Sequence, residues 1–247
     1  MAIAEVHGWY RFAAGVIRPF LFLVTRRDWQ GQENIPSNGP AILVVNHISY
    51  IDPLVFTHFI FDNGRAPRYL GKESIFRIPF VGRVLRGAGQ IPVHRETESA
   101  REALLKAVDA LRAGEAIGIY PEATITRDPD LWPMTGKTGA ARLALMSGAP
   151  VIPCAQWGAQ RLLAPYSKRF HLFPPKLVHV HAGPAIDLSR WGGKSDDQEA
   201  LIEVTHKIMS TITSMLSQIR QEAPPESPFN WRTSGLPRTG NFKKRQR

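Results

Sequence analysis

The sequence predicts an α/β fold: a single mixed, mostly parallel sheet flanked by helices, with an N-terminal amphipathic helical membrane-binding element. Three observations lead there. Short apolar runs of strand length alternate with segments of helical spacing, and such alternation builds a sheet covered on both faces. The runs at 41–45 (Ala-Ile-Leu-Val-Val) and 116–120 (Ala-Ile-Gly-Ile-Tyr) are continuously apolar, as a strand buried on both sides must be. With 247 residues, 43% of them hydrophobic, the chain can bury one large α/β domain or two small ones.

The elements follow in order. Residues 1–30 form an N-terminal helical region in which 9–24 are rich in Trp, Tyr, Phe, Leu and Val, interrupted by Arg11, Arg18 and Pro19. Its longest clean apolar run, 20–24, falls far short of the roughly 20 residues a bilayer span needs. No small-residue cleavage site follows it, so a secretory signal is not expected. Flanked by Arg26 and Arg27, the segment suits an amphipathic helix whose aromatics lie at a headgroup boundary, or one packed on the protein's own core. Opposite faces of one helix can do both.

A main domain is expected over 31–221. It opens with a turn-rich connector at 31–40, then a strand at 41–45, a helix at 53–61, a strand at 68–71 and a short helix at 72–76. A strand at 90–93 precedes a helix at 98–113, where Leu104, Leu105, Val108 and Leu111 share one stripe and Gly114 supplies the C-cap. Next come a strand at 116–120, a helix at 138–146, strands at 151–155 and 177–181, and a long amphipathic helix at 198–219. Residues 222–247 are Pro-rich and then basic, which predicts a mobile tail.

Charge and cysteine content narrow the function classes. A net charge of +10 and a pI near 10.1 call for an anionic partner: nucleic acid, an anionic membrane surface or phosphorylated substrates. Lys243, Lys244 and Arg245 in the tail have no nucleic-acid recognition motif to accompany them in the body, so nucleic acid is not the expected partner. The lone Cys154 excludes an intrachain disulfide and fits a reducing compartment. No Cys/His cluster has zinc spacing, so no metal site is expected. Gly136-Lys137-Thr138 resembles the end of a phosphate-binding loop, but Leu131 stands where that loop needs its first glycine.

The segment that carries chemistry is Asn46-His47-Ile48-Ser49-Tyr50-Ile51-Asp52-Pro53, where the first buried strand emerges into a loop. A histidine fixed in one tautomer by a carboxylate can take a proton from a hydroxyl near neutral pH. Nothing marks Ser49 as a nucleophile, which leaves the hydroxyl to a substrate. A structural reading stands beside this one, because Asp-Pro commonly opens a helix with Asp at the N-cap and Pro at N1. Three more segments fall at strand ends, where α/β sheets assemble sites: Gly89-Gln90-Ile91-Pro92-Val93-His94-Arg95, Tyr120-Pro121-Glu122-Ala123-Thr124-Ile125-Thr126-Arg127, and Ala149-Pro150-Val151-Ile152-Pro153-Cys154.

In this order the four segments resemble the sequence blocks of the 1-acylglycerol-3-phosphate acyltransferases, a family of glycerolipid acyltransferases. The third block matches only in part: Ala123 stands at the usual glycine and Ile125 at the usual arginine. The resemblance implies transfer of an acyl group from an acyl-CoA or acyl-carrier-protein thioester to the hydroxyl of a lysophospholipid, giving phosphatidic acid, without a cofactor. It makes His47 the general base and Asp52 the residue that orients the imidazole. Glu122, Thr124, Arg95 and Lys72 fall at substrate-binding positions, with Arg127 or Lys137 supplying the charge missing at Ile125. The implied location is the cytoplasmic face of the cell membrane, peripheral or monotopic. Acylation of another head group (glycerol 3-phosphate or a glycolipid) and a catalytically silent membrane-binding relative remain as alternatives.

Overall fold

A computed structural model describes residues 8–93, 98–230 and 233–235. Helix α1 (Gly8–Val24) runs without a linker into strand β1 (Thr25–Gln30), and the Thr25 hydroxyl donates to the Leu21 carbonyl at 2.6 Å. After a connector come β2 (Ala41–Val45), α2 (Asp52–Asp62), β3 (Arg68–Lys72), α3 (Glu73–Phe76), α4 (Val81–Gly87) and β4 (Ile91–Val93). The chain continues through α5 (Glu98–Arg112), β5 (Ala116–Ile119), α6 (Gly139–Ser147), β6 (Val151–Trp157), α7 (Ala159–Leu162), β7 (Lys176–Ala182) and α8 (Gln198–Arg220).

Among the described residues these strands form one sheet in the order β1-β7-β6-β2-β5-β3-β4. Only the β6–β7 pairing is antiparallel, so the sheet is mixed and mostly parallel, as expected. Strand β2 lies at its centre and is buried along its whole length. Ala41, Leu43 and Val45 pack towards α1 and α2, while Ile42 and Val44 pack towards α5, α6 and α8. This two-sided burial is why the sequence shows no polar alternation there. The parallel strands β2, β5, β3 and β4 all end at the same edge, and their loops converge on it.

One expectation is corrected. Residues 25–30, read as part of the helical N-terminal region, form an edge strand paired in parallel with β7. Its sequence, Thr-Arg-Arg-Asp-Trp-Gln, lacks apolar alternation because an edge strand keeps charged side chains towards solvent. Past α8, the Phe229 carbonyl accepts the Thr135 N–H at 3.1 Å.

Helix α1 has two apolar faces. Tyr10, Leu21 and Val24 are buried on the domain, whereas Phe12, Val16, Phe20 and Leu23 are exposed along a neighbouring stripe. No helix among the described residues is long and apolar enough to cross a membrane.

Candidate active site

The turn between β2 and α2 is built around one carboxylate. Asp52 Oδ2 accepts the Ile48 N–H at 2.6 Å, the Ser49 N–H at 2.7 Å and the His47 Nδ1–H at 2.8 Å. An oxygen already accepting two amide protons acts as an acceptor towards the imidazole, which places the ring proton on Nδ1 and leaves Nε2 basic. Asp52 is fully buried; burial raises its pKa, opposed by the His47 contact and the two amides. The His47 side chain keeps 16% exposure. Ile51, not Asp52, occupies the N-cap of α2, and Pro53 follows Asp52 in the first turn. The capping reading is therefore corrected: the carboxylate turns back onto the loop it follows.

His47 is also fixed from neighbouring strands. Its N–H donates to Glu122 Oε1 at 2.9 Å, and its carbonyl accepts the Thr126 N–H at 2.7 Å. The preceding Asn46 and Gln156 of β6 pair reciprocally: Asn46 Oδ1 accepts the Gln156 N–H at 2.8 Å, and the Gln156 side chain donates to the Asn46 carbonyl at 2.8 Å. The Tyr120 ring lies 4.3 Å from the imidazole, tilted by 31°, and covers one of its faces. Ser49 donates its hydroxyl to the Leu163 carbonyl at 2.6 Å and is buried, in keeping with no nucleophilic role.

The residues expected to bind substrate separate into two groups. Glu122 is fully buried and spans two main-chain donors, His47 N–H and, through Oε2, Met134 N–H at 3.0 Å. Burial pushes its carboxyl up to about 8, against the lowering effect of those two amides. Both carboxylate oxygens contact the backbone, so the side chain positions His47 and the 134 segment. Arg127, the expected compensating cation, is buried at 4% exposure. Burial raises the Tyr166 hydroxyl's pKa, and contacts from Thr124 and Arg127 oppose the rise. Both expected substrate ligands thus sit against Tyr166, whose hydroxyl donates to the Ile125 carbonyl at 2.6 Å.

The lysines are more accessible. Lys72 is exposed at the end of β3, where that strand pairs with Val93 of β4. Lys137 is half-buried, and its N–H donates to the Pro121 carbonyl at 2.9 Å, tying it beside Glu122. Arg95 lies outside the described residues, two positions in sequence past Val93, the last residue of β4.

The third block carries two departures from the family pattern, and the fold absorbs both. Ala123 adopts φ +58°, the left-handed conformation that glycine takes without strain. Ile125 is 3% exposed and packs inward. Gln156 and Tyr166 lie outside the four segments, and Tyr120 and Thr126 lie inside the third with no sign of their roles, since each meets His47 or its loop through the fold and not through spacing. The arrangement as a whole offers a tautomer-fixed base where β2 leaves the sheet, with the backbone of Lys137 tied to Pro121 in the loop that holds His47.

Comparison with known proteins bears on the family and the fold. Residues 26–157, more than half of the chain, match the family described as Acyltransferase. The chain is 35% identical over 159 residues to a 1-acyl-sn-glycerol-3-phosphate acyltransferase of Borreliella burgdorferi, covering 64% of this chain and 60% of that protein. A Bacillus subtilis protein of the same name is 26% identical over 152 residues, covering 60% and 71%. The alignments span 60% of the Borreliella protein and 39% of a chloroplastic relative from Brassica napus, so much of these relatives' length lies outside the match. The crystal structure of the 1-acyl-sn-glycerophosphate acyltransferase of Thermotoga maritima superposes with a TM-score of 0.65 at 21% identity, covering 87% of this chain and 83% of that one, a likeness of fold. By its sequence match the chain belongs to the acyltransferase family.

Proposed function

We propose that this protein transfers a fatty acyl group from an acyl-CoA or acyl-carrier-protein thioester to the free hydroxyl of 1-acyl-glycerol 3-phosphate, forming phosphatidic acid. The observation that carries the reading is the His47 Nδ1–Asp52 Oδ2 contact of 2.8 Å with the imidazole partly exposed. As the substrate oxygen attacks the thioester carbonyl, His47 Nε2 takes its proton, and the buried Asp52 carboxylate stabilises the imidazolium. Collapse of the tetrahedral intermediate breaks the C–S bond, and the imidazolium returns the proton to the departing thiolate. No acyl-enzyme is needed because the substrate supplies the hydroxyl. Lys72 and Lys137, with Arg95, are the cations proposed to hold the acceptor phosphate.

The exposed apolar stripe on α1 supports work at a membrane surface, the net charge of +10 favours an anionic one, and the cytoplasmic face is part of the proposal. It continues onto the α3–α4 connection, where Ile78 and Phe80 are exposed and the Phe80 ring lies 6.3 Å from that of Phe12. Phe22 packs against His58 and Arg27, so Val16 and Leu23, at 60% and 61% exposure, are the cleaner positions to test. A second reading, acylation of a different head group, draws on the inward-packed Ile125 at the family's arginine position.

A donor-by-acceptor activity panel on purified protein in detergent, with positional analysis of the product, tests the proposal. Highest turnover on 1-acyl-glycerol 3-phosphate is the expected result. Faster acylation of glycerol 3-phosphate or of a glycolipid would transfer support to the second reading.

A further inference from the structure

We infer that Asp28, His179 and His181 form a binding site for a divalent transition-metal ion, with zinc as the best fit, at the β1–β7 rim of the sheet. Strands β1 and β7 are parallel neighbours that set Asp28 opposite His179 and Gln30 opposite His181. Two residues apart on one strand, the histidines project from the same face. Val178, Val180 and Ala182 fill the core on the other face, so the imidazoles turn away from it. Asp28 Oδ2 lies 2.7 Å from His179 Nδ1 and 3.3 Å from His181 Nε2, and the three ligand atoms fall within 4.8 Å of one another.

A tetrahedral zinc with bonds of about 2.0–2.1 Å separates its ligand atoms by roughly 3.3 Å, so small side-chain adjustments would admit the ion. Two imidazoles and one carboxylate suit zinc and its transition-metal neighbours better than magnesium or calcium. Gln30 Nε2 donates to Asp28 Oδ1 at 3.1 Å, which holds the carboxylate and leaves Oδ2 for the ion. Slight burial raises the Asp28 pKa, but hydrogen bonds from Gln30, His179 and His181 outweigh it and favour the ionised ligand. Exposure of 22%, 21% and 33% for the His179, His181 and Asp28 side chains leaves room for water to complete the coordination.

The site is structural in character. His181 pairs with Ala155 of β6, whose preceding residue Cys154 pairs with Val45, so His181 lies level with Asn46 and two strands across. That is roughly 10 Å from the backbone next to His47. Because α1 continues directly into β1, an ion bridging β1 and β7 would staple the strand that carries α1 to the sheet. The absence of a Cys/His cluster in the sequence pointed away from any metal, since the carboxylate comes from 151 residues before His179.

The full chain, stripped with a chelator, is titrated with Zn²⁺ by calorimetry and thermal melting, and with Co²⁺ by visible absorption. Saturable one-to-one binding, a raised melting midpoint and intense Co²⁺ bands of a low-coordinate nitrogen-ligated ion are expected. H179Q/H181Q should weaken binding by more than about tenfold, whereas H171A/H206A, which removes two exposed histidines elsewhere, should leave it unchanged. Circular dichroism monitors the fold, and the wild-type Co²⁺ spectrum provides a readout independent of any variant. No saturable binding, a water-like octahedral Co²⁺ spectrum, or undiminished affinity in a folded H179Q/H181Q would overturn the site.

Discussion

The β2–α2 turn and the loop after β5 meet at His47 but are built on different principles. The first closes on itself, because Asp52 reaches its three donors within five residues of chain. The second is closed from afar: Tyr166 holds Ile125, Phe229 holds Thr135, and Glu122 ties Met134 to His47. In the turn a carboxylate of the same segment sets the imidazole, although Glu122, Thr126 and Leu163 also hold that segment, whereas the loop's conformation rests on distant partners. Ala123 and Ile125 fall in the second region, and the first region keeps every position of its motif.

The predictions separate the two regions. Replacing Asp52 with Asn keeps the size of the side chain but removes the charge that stabilises the imidazolium. Acyl transfer should fall by roughly 10²–10⁴-fold, read as kcat on a protein whose circular dichroism is unchanged. Activity within twofold of wild type would dissolve the distinction between a chemical turn and a supporting loop.

Glu122→Gln probes the loop and should act chiefly on stability. An amide oxygen can serve one of the two N–H donors while its NH₂ faces the other, a cost of about 1–3 kcal/mol. The pH dependence has a definite sign. Glu122 is raised from 4.5 to about 8 in the folded protein, so between these values the folded state keeps a proton that the unfolded chain has released. Stability from this group is complete below the ordinary glutamate range and is lost as pH rises towards 8, by at most about 1.4 kcal/mol per pH unit. Burial raises Asp52 in the same direction. Denaturant melts from pH 5 to 9 should show a declining stability that flattens in Glu122→Gln without vanishing.

Lys137→Ala tests whether the loop contributes a phosphate ligand. KM for a phosphate-bearing acceptor should rise by about tenfold, equivalent to one charge-assisted hydrogen bond, with kcat nearly constant. Equal losses for phosphorylated and unphosphorylated acceptors would reduce Lys137 to a structural residue.

The smallest effect belongs to Ala123→Gly. Relief of the left-handed alanine should stabilise the protein by roughly 0.5–1 kcal/mol, net of the added freedom of the unfolded chain. A destabilised variant would show that the loop's distant partners, and not backbone strain, set its conformation.

What could be read from the sequence follows the same division. The central strands were legible because two-sided burial makes them continuously apolar, and the His47–Asp52 contact because both partners fall in one turn. Strand β1 was hidden by its edge chemistry, since a charged rim looks like a connector. Glu122 was visible as a carboxylate in a polar loop, but its attachment to the His47 N–H spans 75 residues and appears only in the folded chain. Arg127 likewise looked available from its position, and the fold buries it beside Tyr166. The Asn46–Gln156 pair spans 110 residues and left no local mark.

The most direct test of the account is single-turnover acyl transfer from acyl-CoA to 1-acyl-glycerol 3-phosphate by His47→Ala, first established as active with the wild-type protein. A folded variant that binds vesicles as wild type does and transfers acyl groups about 10²–10⁴-fold more slowly is the expected result. Wild-type turnover in that variant would contradict it and remove His47 from the chemistry.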